Sequence, residues 1–356
     1  MTTKRSERAF GDYELDGQVL RQSMLRVVPK RIFGTSRLRL PAVPALLDHY
    51  VEMLGGLFAL HGRAFDEAEL AHLRGLLAEK LEQGFDAARG SSVVVEYQTD
   101  PAPEQTISYT LSLEVATLES EYAEWASTRE PPLFGKHPDC KVMDLARSLG
   151  TPAAVPVLDV GAGTGRNALP LARAGFPTHA VERSPELAAT LRAAAAEARL
   201  TVEVFQGDVL HGALELPASH YRLIVASEVV SDFRDVAALE RWFERAAGLA
   251  AAGGFLLFNA FLAVGGYRPD ALARELSHVF WSTVFLREEI KALAAAQGFA
   301  LQSEESVYEY EKARLPPNAW PPTRWFEEWA RGIDTFDVPM SRAPVELRWL
   351  TFRKNP

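Results

Sequence analysis

The chain of 356 residues exceeds one typical domain of ~100 to 200, so two units, or one domain with a large extension, are expected. Apolar residues at 47% and charged residues at 24% describe a globular protein, while a net charge of −9 (Lys+Arg 38, Asp+Glu 47) argues against DNA or RNA, whose phosphates attract excess positive charge. A lone cysteine, Cys140, makes no internal disulfide and holds no metal by itself; no apolar run reaches the ~18 residues of a bilayer span, and the opening MTTKRSERAFGDYELDG lacks the apolar centre of a signal peptide, so a cytoplasmic protein without membrane contact or metal is expected.

Residues 1–40 carry a basic stretch, Arg21, Arg26, Lys30, Arg31, Arg37 and Arg39, with no acid among them. It reads as a solvated arm over an acidic body or as a docking strip for an anion. Pro41 to Leu60 reads as a helix, and Glu67 to Ala88 as a second, with Leu70, Leu73, Leu77 and Leu81 at helical spacing. Asp66 and Glu69 offer an acidic form of the capping box. From Ser91 the period changes: Val93, Val95 and Tyr97, then Ile107, Tyr109, Leu111, Leu113 and Val115 alternate with polar residues, which predicts a β-hairpin. Residues 1–117 are thus expected to form an accessory region, suited to capping substrate or to a homodimer contact.

Residues 118–150 begin with Tyr122 and Trp125 on a short helical stretch. The proline- and glycine-marked loop REPPLFGKHPD follows, with Lys136 and His137 in it.

The organising stretch is Val155 to Arg183. An apolar run ends in Asp159, Gly161, Gly163 and Gly165 follow at alternate positions, a helical segment begins, and a second apolar run ends in Glu182. This is the opening half of a nucleotide-binding βαβ unit. A dinucleotide fingerprint would place its third glycine where Arg166 stands, and that side chain would crowd a pyrophosphate, so NAD or FAD is disfavoured. Asp159 beside the turn repels phosphate but suits an ammonium and a sulfonium. Glu182 follows the first glycine at about the spacing of a carboxylate that accepts ribose hydroxyls. The ligand so described is S-adenosylmethionine (SAM).

The run LDVGAGTGRNALPLARAG, followed by AVE, resembles motif I and the acidic strand end of class I SAM-dependent methyltransferases. GRNALPLA and the closing VELRWLTFRK are similar to the tellurite-resistance methyltransferase family. The resemblance implies a Rossmann-like α/β sheet over residues 118–356, lidded by 118–150, with Arg166, Asn167 and Ser227 in the cofactor site. It implies that Asp208, at the end of a third strand, receives the adenine amino group and that Val209 packs on the ring.

Ser184 and Pro185 open a helix to about Leu200. Tyr221 to Val229 is read as a fourth strand, with Ser227 and Glu228 at its end, and Asp235 to Ala252 as a helix; Gly253-Gly254 introduces a strand from Phe255 to Phe261. The insertion Val264 to Val284, with Tyr267, His278, Phe280 and Trp281, is read as core or substrate wall. A helix from Arg287, a strand from Phe299, a tryptophan-rich insertion (Leu315 to Pro344) and a terminal strand complete the chain.

Methyl transfer from a sulfonium needs alignment above all, and a base only if the acceptor must lose a proton. Glu228 and His137 are the catalytic candidates, with Asp232 and His278 behind them. Tyr122, Trp125, Lys136, Tyr267, Trp281 and Arg314 are the substrate candidates. Those tellurite-family enzymes carry a His-Arg pair where this chain has Ala313-Arg314, so the acceptor stays a small molecule with an O, N or soft S, Se or Te centre. A non-catalytic SAM-binding module is the alternative.

Overall fold

The computed structural model describes residues 17–28, 34–100, 106–117, 134–211, 214–337 and 342–356. Tyr122 and Trp125, with Lys30 and Arg31, lie outside the described residues. The chain divides into two compact units, residues 1–87 with 91–115, and residues 88–90 with 116–356.

In the first unit, β1 (Gly34–Pro41), β2 (Ser92–Thr99) and β3 (Ile107–Glu114) form an antiparallel sheet in that order. The helix Glu67–Ala87 buries Leu73, Leu77 and Leu81 against Tyr50, Leu54 and Phe58 of the helix Leu47–Leu60, with Val93 and Val95 of β2 completing the core. The capping box forms: Glu69 N–H donates to Asp66 Oδ1 and Asp66 N–H to Glu69 Oε2, both at 2.9 Å.

Two expectations change here. Pro41 ends β1, and the helix starts only at Leu47, after the 3-10 turn Pro44–Leu46, because Pro44 has no N–H and suits a first turn. The hairpin is widened by β1, whose alternation Arg37-Leu38-Arg39-Leu40 turns the leucines inward. Arg37 meets Glu96 at 3.4 Å and Arg39 meets Glu114 at 2.8 Å, so this part of the basic stretch is strand surface paired to its own sheet.

The second unit is built on an eight-stranded sheet in the order β10-β11-β8-β7-β4-β5-β6, with β9 pairing to β8. The strands are β4 (Val157–Val160), β5 (Thr178–Glu182), β6 (Val202–Gln206), β7 (Tyr221–Ala226), β8 (Ala250–Ala263), β9 (Val284–Phe285), β10 (Phe299–Ser306) and β11 (Val345–Lys354). Strands β6, β5, β4, β7 and β8 run parallel, and β11 is antiparallel to both of its neighbours. Alternate side chains of β4 enter opposite layers: Leu158 and Val160 join Trp242, Phe243 and Phe258, while Val157 joins Val142, Leu171 and Trp349.

From β4 the chain winds outward through β5 and β6, then returns to β7 on β4's other flank. The carboxyl ends of β4 and β7 therefore border the crevice at which open α/β sheets bind ligands. This is the Rossmann-like arrangement expected from the sequence.

Strand ends differ from the sequence reading. β7 stops at Ala226, two residues before the turn at Glu228, whose φ is +58°. β8 begins at Ala250 and takes Gly253-Gly254 into the strand; a β-carbon on Gly254 would lie 2.8 Å from the Tyr221 carbonyl oxygen. The insertion after β8 holds the helix Ala271–Val279, in which His278 is buried while Phe280 beyond it is 49% exposed. The tryptophan-rich insertion packs Phe326 and Trp329 onto the sheet, Trp329 meeting Phe261 edge-on at 5.1 Å.

Candidate active site

Beyond Val160 the chain turns through three glycines with positive φ. They serve different ends. A β-carbon on Gly165 would lie 2.4 Å from Leu191 and 2.9 Å from Leu169, so this glycine lets the turn close onto the following helices. Among the described residues, a β-carbon on Gly163 would meet only the Phe134 ring, at 3.8 Å, so this stretch of backbone is open to a ligand.

Two acids flank the turn. Glu182, at the end of β5 and 4% exposed, accepts the Gly163 N–H through Oε2 and the Ser184 N–H through Oε1, both at 2.8 Å. Each oxygen keeps a second lone pair for a ligand hydroxyl. Asp159 is 2% exposed, and its Oδ2 is buried without a hydrogen-bond partner. Burial, then the charge of Asp139, pushes the Asp159 carboxyl up to about 7, against the pull of Arg166.

A buried polar network closes the crevice around Asp139, the residue before the helix Cys140–Ser148. Its carboxylate accepts from Arg166 Nη1 at 2.8 Å, Asn167 Nδ2 at 2.9 Å and Ser227 Oγ at 2.7 Å. Arg166 reaches on to Glu228 Oε1 at 2.6 Å, and Glu228's own N–H donates to Asn259 Oδ1 at 2.7 Å. Burial raises the Glu228 carboxyl, with Arg166 opposing; the burial of Arg166 is outweighed by Asp139 and Glu228, so it stays charged. Glu311 accepts the N–H groups of Cys140 at 2.7 Å and Lys141 at 3.2 Å, and burial followed by the charge of Asp139 pushes it up to about 7. Carboxyls from Asp139, Asp159, Glu228 and Glu311 thus gather near the guanidinium of Arg166, with Glu182 close to Asp159. Such a surplus of acid, with an unsatisfied oxygen on Asp159, fits a cationic ligand and repels a pyrophosphate.

Residues 157–254 match the family of methyltransferase domains. This segment is a methyltransferase domain. The glycine turn, Asp159 and Glu182 lie within it and fit S-adenosylmethionine as the cofactor. No curated protein was found to match it. Among solved structures, the chain is similar to a putative sarcosine dimethylglycine methyltransferase from Galdieria sulphuraria (16% identity, 66% of this chain and 97% of that one, TM-score 0.46). It is similar also to the cyclase SpnF (19% identity, 65% and 90%, TM-score 0.44) and to geranyl diphosphate methyltransferase in complex with SAM (14% identity, 61% and 85%, TM-score 0.45).

Asp208 accepts the Leu210 N–H at 2.8 Å and meets His211 at 3.2 Å, and Val209 beside it is buried. Lys136 and His137 are exposed. Tyr267 packs against the layer that holds Trp329. Trp281 lies under the guanidinium of Arg89, and Arg314 stacks on Tyr310 at 3.6 Å with Asp144 at 3.4 Å. The network joins Arg166, Asn167, Ser227 and Glu228, and Glu182 is hydrogen-bonded to the turn; Tyr267, Trp281 and Arg314 have these other neighbours.

His278, one of the base candidates, is buried. Burial, then Arg89, lowers its pKa to about 4, and Nδ1 sits 3.2 Å from Thr283 Oγ1. Asp139, Asn259 and Glu311 had no motif to mark them. Among the described residues no group of His, Cys, Asp and Glu could hold a metal, and no helix is long and apolar enough to cross a membrane.

Proposed function

We propose that the enzyme moves the methyl group of SAM to a small-molecule acceptor at an oxygen, nitrogen or soft sulfur, selenium or tellurium centre. The observation that carries this reading is the buried, partnerless oxygen of Asp159 beside the open backbone of Gly163, within a surplus of carboxylates. Bound there, SAM supplies a methyl group already activated on a sulfonium.

The chain's own residues bind and align. Gly163 offers bare backbone, while Gly161 makes room for Val229, Asp159 faces the positive end of the ligand, and Glu182 takes the ribose hydroxyls on its remaining lone pairs. Asp208 and Val209 are assigned to the adenine. Arg166, Asn167 and Ser227 act through Asp139, holding the wall of the site. Glu228 would have to release Arg166 before taking a proton, so it is assigned to holding that guanidinium. The exposed His137 and Lys136 belong to the lid segment 118–150, and residues 1–117 to an accessory region.

Likeness to the tellurite-resistance family at GRNALPLA and VELRWLTFRK favours a soft acceptor, whereas Arg314 is engaged by Tyr310 and Asp144. The acid-rich chain and crevice speak against nucleic acid. The test is incubation with methyl-labelled SAM and a metabolite extract. A labelled small molecule together with S-adenosylhomocysteine supports the reading, and SAM binding without turnover overturns it.

A further inference from the structure

Beside the carboxyl end of β7, one arginine is built in a way that the cofactor does not explain. Arg89, whose segment Ala88–Gly90 is grouped with the second unit, has a side chain only 7% exposed. Its Nη1 donates to Asp232 Oδ1 at 3.0 Å, and its guanidinium lies 3.4 Å from the centroid of the Trp281 ring. Asp232 closes the 3-10 turn Val230–Asp232, which starts four residues after the end of β7, at the carboxyl end of that strand.

Arg89 Nε is buried without a hydrogen-bond partner. A buried donor left unmade costs roughly 1 to 3 kcal/mol, which a ligand that accepts from it would recover. The Nε–Nη2 edge of an arginine matches the two oxygens of a carboxylate.

Trp281 adds an independent sign. It sits at φ +61°, the left-handed position after the helix Ala271–Val279, where Ser282 N–H closes onto Ser277 O at 2.9 Å. Glycine takes that place freely, and a bulky side chain costs about 1 to 2 kcal/mol there. Stacked on Arg89, the ring holds the guanidinium plane fixed.

We propose that Arg89, held by Asp232 and Trp281, binds a carboxylate group of the methyl acceptor and so determines substrate class. This rests on the reading that the crevice takes a small-molecule acceptor. The other face of the pair, the Asp232 carboxylate with a side chain 39% exposed, leaves room for a positive group on the same molecule.

The test uses the full chain, methyl-labelled SAM and a metabolite extract, untreated or with its carboxylates converted to neutral amides. Calorimetry with SAM runs alongside. The untreated extract should give a labelled, carboxylate-bearing product that amidation abolishes. Arg89→Met should raise the acceptor KM at least about 30-fold and Arg89→Lys about tenfold, with kcat changed less and SAM affinity unchanged, which a merely structural role would not produce. Label that survives amidation, or an Arg89→Met KM within twofold while SAM still binds, overturns the proposal. If the wild-type protein binds no SAM or labels nothing, the methyl-transfer reading itself fails, and this one with it.

Discussion

Asp139 and Asn167 hold each other at both ends. The Asn167 amide nitrogen donates to the Asp139 carboxylate, and the Asp139 N–H donates to Asn167 Oδ1, both at 2.9 Å and out of water. Through that exchange the glycine turn is fixed to the helix Cys140–Ser148, and Arg166 is aimed at Asp139 and Glu228 together.

Removing one partner strands the other. Asn167→Ala leaves a buried N–H unmade and a carboxylate short of a donor, which should cost ~2 to 4 kcal/mol. Urea unfolding measures that loss, and SAM calorimetry should show a several-fold weaker Kd.

The pH dependence of cofactor binding follows from Asp159. Its carboxyl is raised to about 7, so it is neutral at low pH and charged above. A positive ligand prefers the charged form, and SAM should bind about tenfold more weakly at pH 6 than at pH 8. For the protein without ligand the sign reverses. A folded-state pKa above the unfolded value near 4 gives stability that is present below pH 4 and is lost as pH rises through 7. Asp159→Asn should therefore raise Tm at pH 8 and not at pH 4, while flattening the pH profile of SAM binding.

The two inner glycines should separate folding from binding. Gly165→Ala drives a methyl into Leu191 and Leu169 and should destabilise by ~2 to 4 kcal/mol. Gly163→Ala meets only Phe134 and should cost ~1 to 2 kcal/mol for its left-handed φ, yet weaken SAM at least about tenfold. Thermal unfolding and calorimetry on both variants check the contrast.

In the first unit, Leu77 is fully buried between two helices and a strand. Leu77→Ala should cost ~2 to 5 kcal/mol by denaturant unfolding.

The turn and its acids were legible because each is a local pattern: a strand, glycines at alternate places, an acid at the next strand end. The capping box at Asp66 and Glu69 and the N-cap at Ser184 were readable for the same reason. What stayed hidden is made by contacts that no spacing encodes. Glu311 meets Cys140 across 171 positions, and Arg89 meets Asp232 across 143. β1 was missed because its arginines mask the alternation of Leu38 and Leu40, and their charge is answered by glutamates on strands far along the chain. The start of β8 was missed because Gly253-Gly254 reads as a break, whereas the approach of the Tyr221 carbonyl requires a residue without a β-carbon there.

The central claim is that the acid-lined turn holds a cationic adenosyl ligand, and calorimetric titration of the full chain with SAM, against NAD, tests it most directly. SAM should bind with Kd in the range of about 1 μM to 1 mM, Glu182→Gln should weaken it by about tenfold or more, and NAD should give no heat. No heat with SAM, or tighter binding of NAD, would contradict the account.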